Sequence, residues 1–376
     1  KVYPSPEGTA IDDAVVLVHD GTIAAVGKRG EVAVPKGART IDCTSKVVTA
    51  GFWNSHVHFT EPVWNGAAHA PVEKLQAHLR EMLTGWGFTT VWDLGSNPDD
   101  SLAIRGLIES GKLLGPRIFL AGDIFPKDGK PVYLPKEIQV PEAATPAEAT
   151  ALAKHFLSIG EDGIKLFAGA IQGHGVVVPM PPEIVRAAAD VAHAAGKPVF
   201  SHPSNRVGID NSLAGGVNVL AHTAPSAKEL TAAELALMKE HHVALVPTLA
   251  LFPDEVRKDG GSAEEQEAFV KPAIAELAAY RAAAGPVLFG TDVGYTQLYD
   301  TTSEYRYMAR AGMSWRDVLA SLTTSPAAFF KAPHTGKLEK GMDADLVVLG
   351  GEPALDLANL ANVAATIRGG RLIYQR

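Results

Sequence analysis

The spacing of apolar and polar positions divides the chain into three parts. Residues 1–46 carry short apolar runs broken by turn residues. AVVLVH (Ala14–His19), an Asp20-Gly21 turn and TIAAV (Thr22–Val26) together predict a β-hairpin. A further short strand is expected at Thr40–Cys43, after a Pro-Gly loop. The C-terminus has the same texture: DLVVL (Asp345–Leu349), VAATI (Val363–Ile367) and, beyond Gly369-Gly370, RLIY (Arg371–Tyr374). Chain termini commonly lie close together. The two β-rich ends are therefore expected to pair into one small domain, residues 1–46 with 335–376.

The middle, residues 47–334, alternates apolar strands with amphipathic helices. The first strand lies in KVVTAGFWNSHVHFT (Lys46–Thr60). Further strands are expected at Phe88–Leu94, Arg117–Ala121, Gly163–Phe167, Pro198–Ser201, Val217–Ala221, Ala244–Thr248 and Val287–Thr291. Helical periodicity falls between them at Val72–Trp86, Pro146–Ile159, Pro182–Ala195, Ala232–His242 and Glu264–Ala284. Thr145-Pro146 and Thr231 supply plausible helix starts. Eight strands alternating with helices predict an α/β protein with a (β/α)8 TIM barrel, whose active site gathers at the C-terminal ends of the strands. No internal repeat or low-complexity segment is evident.

Composition narrows the partners. A formal net charge of −8 argues against nucleic acid or an anionic membrane as the main partner; a small-molecule substrate is the expected partner. No apolar run approaches the eighteen or so residues of a spanning helix. One cysteine, Cys43, excludes an intrachain disulfide and a thiolate metal site. The chain opens at Lys1 without Met, which leaves the compartment unknown: cytoplasm is the first choice, with periplasm or secretion open if a leader was removed.

The strand ends carry the chemistry. His56 and His58, at spacing i, i+2, project from one face of the first strand. The fourth strand carries Lys165 in GIKLF, the fifth ends in His202, the sixth in His222 and the eighth in Asp292. Each has a plain alternative taken singly: Asp292 before Gly as a turn residue, His202 before Pro203 as a packed loop histidine, Lys165 as a snorkelling side chain. Together, in this order along eight strands, they make a far more specific signal than any one of them. Neutral imidazoles suit zinc and similar divalent ions, and a carboxylate compensates their charge. A protonated lysine is a poor ligand, so one on an apolar strand needs a reason.

This ligand order, the paired β-rich ends and KLEKGMDADLVVL (Lys337–Leu349) resemble the amidohydrolase superfamily over nearly the full chain. The resemblance implies a small β-sandwich built from both termini beside the barrel. It implies a more buried metal on His56, His58 and Asp292, and a second on His202 and His222. Lys165, carboxylated by CO2 to a carbamate, would bridge the two. A hydroxide bridging two such metals attacks the scissile carbonyl, and Asp292 takes its proton and passes it to the leaving nitrogen. Zinc is the first choice, with manganese, iron or cobalt fitting similar ligands.

Asn205 stands where mononuclear deaminases of the superfamily carry Glu, and Lys165 is present; both favour a binuclear hydrolase. Phosphotriesterase-like members lack the paired β-rich ends. The sequence most resembles the branch of prolidase-like dipeptidases and imidazolonepropionase-related enzymes. That implies hydrolysis of an amide in a dipeptide or N-acyl amino acid. An ester, lactone, carbamate or organophosphate is the alternative on the same site, and a non-catalytic structural homologue is the remote one. Enzymes of the family often assemble as dimers or larger, so a homo-oligomer is compatible with the resemblance.

Three further residues are substrate-binding candidates. Tyr133 and His174 lie in long loops after the third and fourth strands, where barrel enzymes bind substrate. Arg206 follows the fifth strand and suits a substrate carboxylate. The Pro-rich segment 122–145 has the length of a lid or binding loop. His69, His78, His241 and His242 read as structural.

Overall fold

The computed structural model describes residues 1–376 except 133, 135, 136 and 174, so Tyr133 and His174 lie outside the described residues. The chain opens on an antiparallel hairpin, β1 (Ala14–His19) and β2 (Thr22–Lys28), turning at Asp20-Gly21. Thr40–Cys43 is not a strand. It follows the Pro-Gly loop among exposed polar residues, and Ile41 itself is exposed, so no apolar face demands a partner.

The apolar run around the paired histidines divides at Gly51 into two strands of different sheets, β3 (Val47–Ala50) and β4 (Phe52–Val57). Gly51 faces Thr89 so closely that a Cβ would lie 2.2 Å from its hydroxyl, which lets the chain cross from one sheet to the other. From β4 onward the middle alternates. β5 (Phe88–Asp93) and β6 (Arg117–Pro126) follow, and β7 (Glu142–Ala143) pairs with the end of β6. Next come β8 (Gly163–Leu166), a hairpin of β9 (Gly169–Gly173) and β10 (Val176–Pro179), then β11 (Val199–Ser201), β12 (Val219–Leu220) and β13 (Ala244–Leu245). Part of the expected 122–145 loop is thus sheet.

Strands β4, β5, β6, β8, β11, β12 and β13 form one parallel sheet in chain order. The expected eighth strand at Val287–Thr291 is irregular backbone, yet it joins the two edges. Val287 bridges Leu245, Val293 bridges Val57, and the Ser55 amide donates to Phe289 O at 2.7 Å. Helices separate the strands at Val72–Met82, Pro98–Glu109, Pro146–Ser158, Pro182–Ala194, Arg206–Gly215, Ala232–Glu240 and Ala263–Ala282. Thr145 with Glu148, Thr231 with Glu234 and Ser262 with Glu265 close capping boxes at three of their starts.

β14 (Leu346–Leu349), β15 (Val363–Arg368) and β16 (Arg371–Gln375) complete a four-stranded antiparallel sheet in the order β16-β15-β14-β3. The N-terminal hairpin joins it through a Thr22–Asp343 bridge, and Ile23, Val48, Leu346, Val348 and Ile367 share one small core. Both chain ends, with β3 (Val47–Ala50), therefore contribute strands to one sheet-and-hairpin layer.

Inside the parallel sheet lies a second core: Trp53, Trp92, Ala121, Phe200, Val219, Ala244 and Leu288, with Phe330 packed beneath. Alternation then fixes what stands above it. Residues two positions beyond the inward Gly163 and Phe200 are Lys165 and His202, and Leu288, Gly290 and Asp292 repeat the pattern. A Cβ at Gly163 would lie 2.9 Å from the Pro198 carbonyl oxygen and 3.2 Å from Trp92, so neither the backbone nor the indole leaves room for a side chain.

Candidate metal centre

The site is a buried convergence of imidazoles. His56 Nε2 lies 3.2 Å from His58 Nε2, and the two lie 3.2 and 2.9 Å from Asp292 Oδ1. His222 approaches Asp292 Oδ2 at 3.9 Å, and its ring centre is 4.6 Å from that of His56. His202 stands edge-on to His222 at 4.5 Å, and Phe167 stacks on His202 at 5.3 Å. Lys165 is 1% exposed, with Nζ 5.1 Å above the Phe167 ring. His56, His222 and Asp292 each offer a ligand atom within 4.8 Å of one another, a possible metal site. All six strand-end residues read from the sequence thus meet at one end of the parallel sheet.

Groups behind the imidazoles fix which nitrogen faces inward. His56 Nδ1 is held by Ala221 O at 2.8 Å, and His58 Nδ1 by Gly95 O at 2.7 Å. Carbonyls only accept, so both Nδ1 atoms carry the hydrogen. His222 Nδ1 meets Thr248 Oγ1 at 2.7 Å. Thr248 donates its own hydrogen to Pro247 O, so it accepts from His222. In neutral rings each Nε2 then presents a lone pair to the centre. Lone pairs 3.2 Å apart repel unless a cation lies between them, and the buried Asp292 Oδ1 has no well-directed hydrogen bond. This donor set fits a divalent metal, with orientation from behind of the kind metal histidines usually have.

The electrostatics agree. Burial, with Lys165 nearby, lowers His202 to about 3; burial alone is the main cause for His56, at about 4. His222 is held well below the usual range by burial and by His202. These rings stay neutral and able to ligate. His58 is raised: burial opposes its charge, but the adjacent Asp292 outweighs burial. Burial also works against the Asp292 charge, yet His56 and His58 hold it well below the carboxylate range. Burial lowers Lys165 to about 8.

A model of the amidohydrolase family matches residues 47–373. The chain belongs to the amidohydrolase family. Among its curated relatives is an uncharacterised Mycobacterium tuberculosis protein, 29% identical over 68% of this chain and 65% of that one. The chain therefore spans slightly less than two thirds of that relative's length. Ochratoxinase of Aspergillus niger is 23% identical over 97% of this chain and 84% of its own. Among solved amidohydrolase-like structures, a putative prolidase from Bifidobacterium longum superposes with a TM-score of 0.84. It is 26% identical, covering 99% of this chain and 92% of that one.

Arg206 requires correction. Its guanidinium binds both carboxylate oxygens of the buried Glu234 at 2.8 and 2.9 Å and the carbonyls of Ala227 and Glu229. Both terminal nitrogens are thus committed to the scaffold, away from a substrate carboxylate. His78 meets Glu61, to which Tyr299 also donates at 2.9 Å, consistent with its structural reading. The sequence reading passed over Thr248, Asp93 and Asp123. Asp93 accepts from Ser96 and Ser101, both at 2.6 Å, bracing the second strand's loop. Asp123 was legible: the inward alternation Phe119, Ala121, Asp123 on β6 leads to it.

Proposed function

We propose that this chain is a metal-dependent hydrolase that cleaves an amide C–N bond of a small substrate, a dipeptide or N-acyl amino acid. We read the closed parallel sheet as a (β/α)8 barrel over residues 52–334, and the terminal sheet with its hairpin as a β-sandwich built from 1–50 and 335–376; the boundary moves from 46/47 because β3 (Val47–Ala50) pairs with β14 in the terminal sheet. Membership of the amidohydrolase family supports the reaction class. The prolidase and ochratoxinase among its relatives give the amide-cleaving reading its direction. No helix among the described residues is long and apolar enough to cross a membrane.

The observation that carries the reading is three imidazoles locked by their Nδ1 atoms so that each Nε2 faces Asp292. In this reading His56, His58 and Asp292 hold one divalent ion, His202 and His222 a second, and Lys165 serves both as its carbamate. At about pKa 8, a useful fraction of Lys165 is free amine near neutrality, the form that adds CO2. Two zinc ions would supply the Lewis acidity that activates water and polarises a carbonyl. Asp292, kept anionic beside the imidazoles, accepts the proton and delivers it to the leaving nitrogen.

Elemental analysis of gently purified protein, beside hydrolysis of dipeptides, N-acyl amino acids, esters and phosphotriesters, tests this directly. About two metals per chain are expected, with amide cleavage abolished by chelator and restored by zinc. Asp292→Asn should retain metal and lose most turnover. A chain with no metal that zinc cannot activate would refute the reading.

A further inference from the structure

One carboxylate at the mouth of the site has no assigned work. Asp123 on β6 stands in parallel register with Lys165 on β8, so both side chains leave their strands on the same inner face. It borders Gly95: a Cβ there would lie 2.9 Å from Asp123 Cβ and 3.1 Å from its Oδ2. The carbonyl of that same glycine holds His58. Asp123 is thus in the layer of the metal ligands, one residue's width from His58.

Its surroundings differ from those of the other acids there. Asp93 is occupied by two serine hydroxyls, and Asp292 faces two imidazoles. Among the described residues no other side chain donates to Asp123. Lys165 and Asp292 are buried, whereas Asp123 keeps partial exposure. Asp123 therefore keeps carboxylate acceptor capacity that no described side chain fills, on a partly exposed position of the same inner face.

We propose that Asp123 anchors the free α-ammonium of the substrate, which makes the substrate an unblocked dipeptide and not an N-acyl amino acid. The inference rests on the amide-hydrolase reading. In a dipeptide the ammonium nitrogen is two bonds from the scissile carbonyl carbon, so its anchor must stand on the wall of the same site. Asp123, beside Lys165, meets that requirement. Gly95 leaves the carboxylate its room: at φ +113, with Asp123 against it, no larger residue fits.

The test compares alanyl-proline and alanyl-leucine with their des-amino analogues, propionyl-proline and propionyl-leucine, on the zinc-loaded full chain. Wild type should favour the alanyl compounds. Asp123→Asn, nearly isosteric and checked for unchanged metal content, should lower the alanyl-to-propionyl ratio of kcat/KM about 10- to 100-fold, through KM; this is the size of one hydrogen bond to a charged group. An unchanged ratio would overturn the anchor, including the case where Asp123 only balances metal charge and both substrates suffer alike. Calorimetric binding of alaninamide against propionamide separates the two readings. If neither amide series is cleaved yet Asp123 still confers preference for alaninamide, the hydrolase reading fails and the anchor stands. If binding shows no Asp123-dependent preference, the anchor fails.

Discussion

His222 points Nε2 into the site because Thr248 takes its other nitrogen, and Thr248 can accept only because its own hydrogen goes to Pro247. Thr248 sits at φ +45, an unfavourable conformation for a β-branched residue, so the backbone there is strained to present that hydroxyl. Thr248→Val keeps the shape and removes the acceptor. Zinc affinity by chelator competition should fall about 10- to 100-fold, with Thr248→Ser restoring much of it. Equal affinity in all three would show that packing alone orients His222. Arg206 teaches the reverse lesson. A cation after a strand end looks available in sequence, but a buried Glu234 on a later helix claims it.

At the scale of elements, the site depends on an irregular segment. Residues 287–293 make isolated bridges to β13 and β4 and carry Asp292 at φ +60. The turn that follows needs Gly294: at φ +100 its Cα faces the His58 carbonyl, 1.8 Å from where a Cβ would stand. Gly294→Ala must move β4's end or this segment, and either motion parts His58 from Asp292. It should cost more than about 2 kcal/mol in denaturant unfolding and reduce metal content. Gly37→Ala serves as the control. It has φ +87 with nothing within 4 Å, so only the conformational term remains, about 1 kcal/mol, with metal content untouched. Equal losses for the two variants would exclude the steric account.

For the whole molecule, buried ionisable groups set the pH range of the fold. Glu161 is 5% exposed, its Oε2 lacks a hydrogen-bond partner, and burial, with Asp93, Asp123 and Asp162 adding to it, pushes it up to about 8. Its folded pKa lies above its unfolded one, so this group's contribution to stability declines as pH rises from about 4.5 and is gone above about 8. Linkage over that span gives an upper bound of about 5 kcal/mol. Glu161→Gln should therefore change Tm little at pH 5 and raise it clearly at pH 9; a gap independent of pH would contradict the burial. His56 and His202 act at the other end in metal-free protein. Their folded values near 4 and 3 lie below 6.5, so stability is lost as pH falls from 6.5 through them.

The sequence by itself determined the alternation of strands and helices, the pairing of the two β-rich ends and the six inward strand-end residues. All of these follow from local periodicity, where side-chain direction is set by counting along one strand. It could not show that the Lys46–Thr60 run crosses between two sheets at Gly51, since the strand-forming pattern runs on through it and both of its strands are fully buried. Nor could it give the eighth strand its irregular form, which depends on what both neighbouring edges offer as hydrogen-bond partners. The tautomers of His56, His58 and His222 were decided by Ala221, Gly95 and Thr248, far apart in the chain. The fate of Arg206 was decided by Glu234, 28 residues on. Charges find their partners in three dimensions, so only the tertiary structure says which polar groups are spent and which, like Asp123, meet no side-chain donor among the described residues.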